Sequence, residues 1–86
     1  MPTVSRFFGI EIWFYYNDHV PPHFHAKYEG GEALYAIRTL EVLGGRLSQR
    51  AHNMVLEWAD LHRAELLADW DLARAGQALA DIAPLE

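Results

Sequence analysis

The chain contains no cysteine. That absence excludes a disulfide framework and any thiolate metal site, and it suits a reducing compartment. Long hydrophobic runs are also missing. The longest, Ile12-Trp13-Phe14-Tyr15-Tyr16, is far too short to span a bilayer. The opening Met1-Pro2-Thr3-Val4-Ser5-Arg6 has neither the apolar core nor the cleavage site of a signal peptide. A cytoplasmic protein with no membrane association is therefore expected. Basic residues are scarce: seven Lys and Arg against twelve Asp and Glu give a net charge of -5. Coating of nucleic acid through bulk charge is excluded, although a local basic patch is not. There is no internal repeat, no low-complexity tract and no composition shift that reads as a linker.

What is present is apolar and aromatic. With 51% hydrophobic and 13% aromatic residues, the chain has the material for one core, and 86 residues make one small domain spanning 1–86. A chain this short leaves much surface exposed, so dimerisation is expected to add stability. The two parts differ in texture. Residues 1–47 are rich in β-branched and aromatic side chains punctuated by Gly and Pro, whereas residues 48–86 are rich in Ala, Leu, Glu, Asp and Arg. The expected fold class is α+β: an antiparallel β-meander of four to five strands (1–47) and a helical half (48–86) with one long C-terminal helix packed on one face.

Strands are expected over 3–8, 10–16, 23–29 and 32–38, with a short fifth over 41–43. Asn17–Pro22 reads as a loop, because Pro-Pro cannot extend a ladder and Asn-Asp favours turns. Gly30-Gly31 as a two-residue hairpin loop sets Phe24 opposite Ile37, Ala26 opposite Tyr35, and Tyr28 opposite Ala33. The other face then carries His23, His25, Lys27 and Glu29 beside Glu32, Leu34, Ala36 and Arg38, turned away from the core, with Arg38 opposite His23. Ser48 is the expected N-cap of a helix over 49–70. Its apolar stripe drifts after Leu66, which predicts a bend or break near Asp69 and a further turn of helix ended by Gly76. Residues 81–85 are expected to return as an edge segment.

The densest chemistry is Asn17-Asp18-His19-Val20-Pro21-Pro22-His23-Phe24-His25, which holds three of the five histidines. His23 and His25 are two apart on a strand, so their rings share a face. That arrangement begins a divalent-metal site, with Glu29, Asp18 or His19 to complete it. His23, His25 and Glu29 also match the spacing of the first cupin motif, but the helical second half excludes a double-sheet barrel. A second reading is an anion or phosphate site built from His23, His25, Lys27 and Arg38. A histidine there would serve as general acid or base in RNA cleavage without a metal, making His23, His25 and Arg38 the catalytic candidates. A third is a rigid strand entry whose histidines bond backbone carbonyls. His62 falls within the apolar stripe and reads as a core histidine with one hydrogen bond, while His52 is expected at the solvent edge.

The opening Met-Pro-Thr-Val-Ser-Arg-Phe-Phe-Gly-Ile, the loop Asn-Asp-His-Val-Pro-Pro-His-Phe-His, the helical Leu-Glu-Trp-Ala-Asp-Leu-His-Arg-Ala-Glu-Leu and the later Trp-Asp-Leu-Ala-Arg-Ala-Gly resemble the prokaryotic domain-of-unknown-function family 4160. The resemblance covers nearly the whole chain. It implies a small stand-alone prokaryotic protein whose partner is a second small protein encoded nearby, in a layout like a toxin–antitoxin pair. By that pattern the positions of interest are Asn17, Asp18, His19, Pro21, Pro22, His23, Phe24 and His25. Taken together, these readings favour a non-enzymatic interaction component of a two-protein module. The alternatives are an RNA- or phosphate-contacting enzyme, with no cofactor, and a divalent-metal-binding domain.

Overall fold

Alternating apolar residues and tight turns order the first half as a meander. The computed structural model describes residues 2–86. Strands β1 (Thr3–Phe7), β2 (Ile10–Trp13), β3 (His23–Tyr28), β4 (Gly31–Ala36) and β5 (Val42–Gly45) precede helices α1 (Gln49–Leu61) and α2 (Arg63–Arg74). The strands form one antiparallel sheet in chain order, so the class is α+β. One face carries Ile12, Phe24, Ala26, Ala33, Tyr35 and Ile37, all sealed from solvent. Cross-strand stacking of Phe24 on Tyr35, at 5.4 Å between centroids, builds the centre of this face. Trp58 of α1 packs against it between Phe7 and Phe24, at 5.3 and 6.0 Å. Its indole N–H donates to Ala83 O at 2.8 Å.

Two helices replace the single expected one, and the break falls at His62 rather than near Asp69. A straight helix over 49–74 would run about 39 Å, longer than the 33 Å greatest extent of the molecule. The buried series Ala51, Val55, Ala59 calls for another apolar side chain near position 62. The chain supplies His62, which leaves helical geometry at φ -122° and ψ 23°. Its ring lies half-buried, 5.4 Å from Trp58 at the edge of the core, and makes one hydrogen bond, to Glu65 Oε1 at 2.6 Å. The stripe then resumes as Leu66, Trp70 and Ala73. Residues 71–74 belong to α2. The N–H groups of Gly76 and Gln77 bond Ala73 O and Leu72 O, closing the helix in a Schellman arrangement.

The β3–β4 register also differs. Tyr28 pairs with Gly31, Ala26 with Ala33, Phe24 with Tyr35 and His23 with Ala36. The two-residue loop is Glu29-Gly30, with φ 47° and 80°, not Gly30-Gly31. Gly31 stands inside the strand instead, where a Cβ would make a tight 3.1 Å contact with Arg46 O beside β5. The shift is two residues, so every side chain keeps its face. Only the opposite numbers change, and Ala36 rather than Arg38 faces His23. β2 ends at Trp13, short of the expected Tyr16. Residues 77–86 form no regular element. The expected edge segment reduces to one backbone bond, from Ile82 N–H to Val4 O at 2.8 Å. No helix among the described residues is long and apolar enough to cross a membrane.

Candidate metal centre

The segment between β2 and β3 is tied down at both ends. Asn17 turns with φ 52° and donates its N–H to Ala73 O at the end of α2, at 3.1 Å. The chain returns through a cis Val20–Pro21 bond, and Ile37 N–H donates to Pro22 O at 3.0 Å, carrying the β3–β4 ladder one step past His23. Asp18 is thereby brought to the sheet face opposite the core, where His23 and His25 project.

These histidines do not face solvent as the strand pattern alone suggested: each is only 6% exposed. Trp13, directly across from His25 in the register, stacks on its ring at 5.2 Å. Tyr15 meets the same ring edge-on at 4.7 Å. Trp70, from α2, lies 5.1 Å from His23. Three aromatic side chains thus wall a polar pair, and a low-dielectric wall strengthens every charge interaction inside it.

Asp18 Oδ2 lies 3.0 Å from His23 Nε2 and 3.2 Å from His25 Nε2. The three donor atoms all fall within 4.8 Å of one another. Burial pushes the Asp18 carboxyl pKa up, but the His19 N–H on Oδ1 and the two imidazoles outweigh it and hold it below the usual value. The outer imidazole nitrogens differ. His23 Nδ1 donates to Pro21 O at 2.8 Å. A carbonyl only accepts, so the Nδ1 proton is fixed, and Nε2, aimed at the Asp18 carboxylate, meets it as the donor. His25 Nδ1 is buried without a hydrogen-bond partner. Glu32 Oε2 approaches it at 3.6 Å, an ionic contact too long to be a hydrogen bond.

The remaining sequence candidates lie elsewhere. Glu29 occupies the β3–β4 turn, exposed and apart from the two imidazoles. Arg38 is exposed beyond the end of β4, beside a cavity of about 250 Å³ that Pro21, Pro22, Ala36 and Leu43 also line. Lys27 shares the histidine face but is exposed, between Glu11 and Glu32 in the register. His19 contributes its backbone N–H, at 2.8 Å from Asp18 Oδ1, while its side chain is exposed. Asn17 contributes its backbone to the loop anchor. Trp70 is a neighbour the sequence did not point to, and Glu32 was expected on the histidine face but not as a partner of His25. Trp70 lies in α2, beyond the helix break. Glu32 stands diagonal to His25 across the β3–β4 pair, a relation readable once the register is known. His52, expected at the solvent edge, is half-buried and bonds the Tyr35 phenol through Nδ1 at 2.9 Å.

No curated protein and no solved structure matches the chain. One family pattern does, over residues 9–71, a stretch that contains the loop, both imidazoles and most of the helical half. The chain belongs to that family, the domain of unknown function DUF4160.

Proposed function

We propose that this domain binds a divalent first-row transition metal through Asp18 Oδ2, His23 Nε2 and His25 Nε2. The observation that carries the reading is their convergence, at 3.0 and 3.2 Å from the shared carboxylate oxygen. Donors around a tetrahedral zinc ion stand about 3.3 Å apart, close to both spacings from Asp18; the two imidazole nitrogens lie within 4.8 Å of each other and would draw together around the ion. His23 is already arranged as a ligand, since Nδ1–H on a backbone carbonyl leaves Nε2 to give up its proton for metal. Two imidazoles and one carboxylate favour zinc and its neighbours over calcium or magnesium. Three protein donors leave a coordination position for water or an external ligand. Titration of metal-free protein with zinc should give one equivalent bound, lost in Asp18→Ala and in His25→Ala. Zinc binding that is absent, or equal in all three proteins, refutes the reading.

A second reading, a component of a two-protein module, draws on a different observation. Tyr15, Tyr16 and Val20 are exposed at 44%, 49% and 71% on the loop that carries Asp18. Large apolar groups exposed on one loop suit a protein partner. Co-purification with the product of the neighbouring gene, abolished by Tyr16→Ser with Val20→Ser, is the expected result. Sedimentation of the protein alone tells whether a second copy covers the patch instead. An RNA- or phosphate-contacting enzyme needs Arg38 beside the imidazoles, and Ala36 stands at that place in the register.

A further inference from the structure

We infer that Glu32 is a positioning residue for the metal centre, acting through the outer nitrogen of His25; this rests on the metal reading above. A metal on Nε2 requires the neutral imidazole to carry its proton on Nδ1. His23 meets that requirement with Pro21 O. His25 does not: its Nδ1 is buried and unpartnered, an arrangement that carries a desolvation cost. Glu32 Oε2, at 3.6 Å, is the carboxylate within reach of it.

The backbone around Glu32 is held from both sides. It pairs with Lys27 on β3, and its carbonyl accepts from Arg46 N–H at 2.8 Å. Its side chain is half exposed, and no ion pair to Lys27 forms across the strands among the described residues. A rotamer adjustment of less than about 1 Å therefore closes the contact to hydrogen-bond length without moving a strand. The result is a chain from carboxylate to imidazole to metal, which fixes the tautomer and ring plane of His25 and raises its basicity as a ligand. Glutamate has the reach for this diagonal; aspartate, one methylene shorter, does not.

The test is zinc affinity, measured by competition with a chelator, for wild type, Glu32→Ala, Glu32→Gln, Glu32→Asp and Glu29→Ala. Loss of an outer carboxylate weakens metal binding about 10–100-fold, and Glu32→Ala and Glu32→Asp should both fall in that range. Glu32→Gln keeps an acceptor oxygen and should lose less. Glu29→Ala removes the same charge three residues away, from an exposed turn, and should match wild type. In the zinc-loaded protein the His25 Nδ1 proton should be visible by NMR in wild type and exchange-broadened in Glu32→Ala. A purely structural role moves the melting temperature of the metal-free protein but not this proton. If Glu32→Ala fails to fold, Glu32→Gln carries the comparison. Affinity within twofold of wild type in the Glu32 variants overturns the inference and leaves the metal site standing, as does equal loss in Glu29→Ala, which would signal bulk charge. Wild-type protein that binds no zinc overturns both.

Discussion

Asp69 lies inside α2 with one oxygen partnered and the other not. Oδ1 accepts from Ala80 N–H at 2.9 Å, which pins the C-terminal segment, while Oδ2 is buried with no partner. Burial raises its pKa, the Ala80 bond opposes this, and Glu65 and Asp81 add like charge that raises it further. Folded Asp69 therefore keeps a proton over a window in which the unfolded chain has lost it. Its contribution to stability is fully present below the ordinary carboxylate range and is lost as pH rises through the raised value. Asp69→Asn keeps the Oδ1 acceptor and cannot ionise. Its stability relative to wild type should rise as pH climbs above the ordinary carboxylate range, measured as the difference between two urea-unfolding series. A flat difference would show that Asp69 titrates normally. At this scale the sequence told part of the site. His23 and His25 were legible because strand geometry puts alternate residues on one face. Asp18 stood beside Glu29 and His19 as a candidate third ligand, since loop conformation decides which group arrives. Asp69 was legible only as a place where the apolar stripe faltered, because its partner comes from a tail with no periodicity.

Elements that depend on local pattern were read well, and those that depend on close approach were not. The β-meander followed from alternation and from turns whose ends are close in sequence. The β3–β4 loop was misplaced by one residue because two adjacent glycines were both read as turn residues, whereas Gly31 stands inside β4. The helix break at His62 was displaced because the stripe is nearly continuous across it, and overall dimensions are invisible to a periodicity. Gly45 shows how close approach governs β5. Its φ is 71°, and a Cβ there would stand 2.1 Å from Glu32 O. Gly30 has a similar φ of 80° but nothing within 4 Å of its Cβ position. Gly30→Ala should therefore cost only the left-handed penalty, about 1–2 kcal/mol. Gly45→Ala adds a collision with backbone and should cost about 4 kcal/mol or more. The same collision should release the Arg46 N–H bond to Glu32 O. Urea midpoints give the first comparison, and amide exchange of Arg46 gives the second. Equal costs at the two glycines would show that β5 is not held against β4 as described.

At the scale of the whole molecule, sheet order was legible because every neighbour in the sheet is a neighbour in the chain. The parts that reach across were not: the loop over the outer face, Trp70 above His23, and the tail joined to Val4, Trp58 and Asp69. A metal bound at Asp18, His23 and His25 would act at this scale, because it fastens the loop to β3 and hence to the end of α2, where Asn17 is anchored to Ala73 O. In the unfolded chain the three donors are no longer held together, so the ion binds the folded state preferentially. At a free zinc concentration of 100 times Kd the added stability is about 2.7 kcal/mol. A domain of this size gains about 4–8 °C in Tm per kcal/mol, so Tm should rise by roughly 10–20 °C and keep climbing with the logarithm of zinc concentration. The His62–Glu65 pair, at 2.6 Å with the imidazole half-buried against Trp58, is the histidine–carboxylate pair that serves as the control. His62→Ala should therefore retain the rise and His25→Ala should lose it. The opposite outcome, a rise that follows His62 and survives without His25, would move metal binding to the helix break and remove it from the loop.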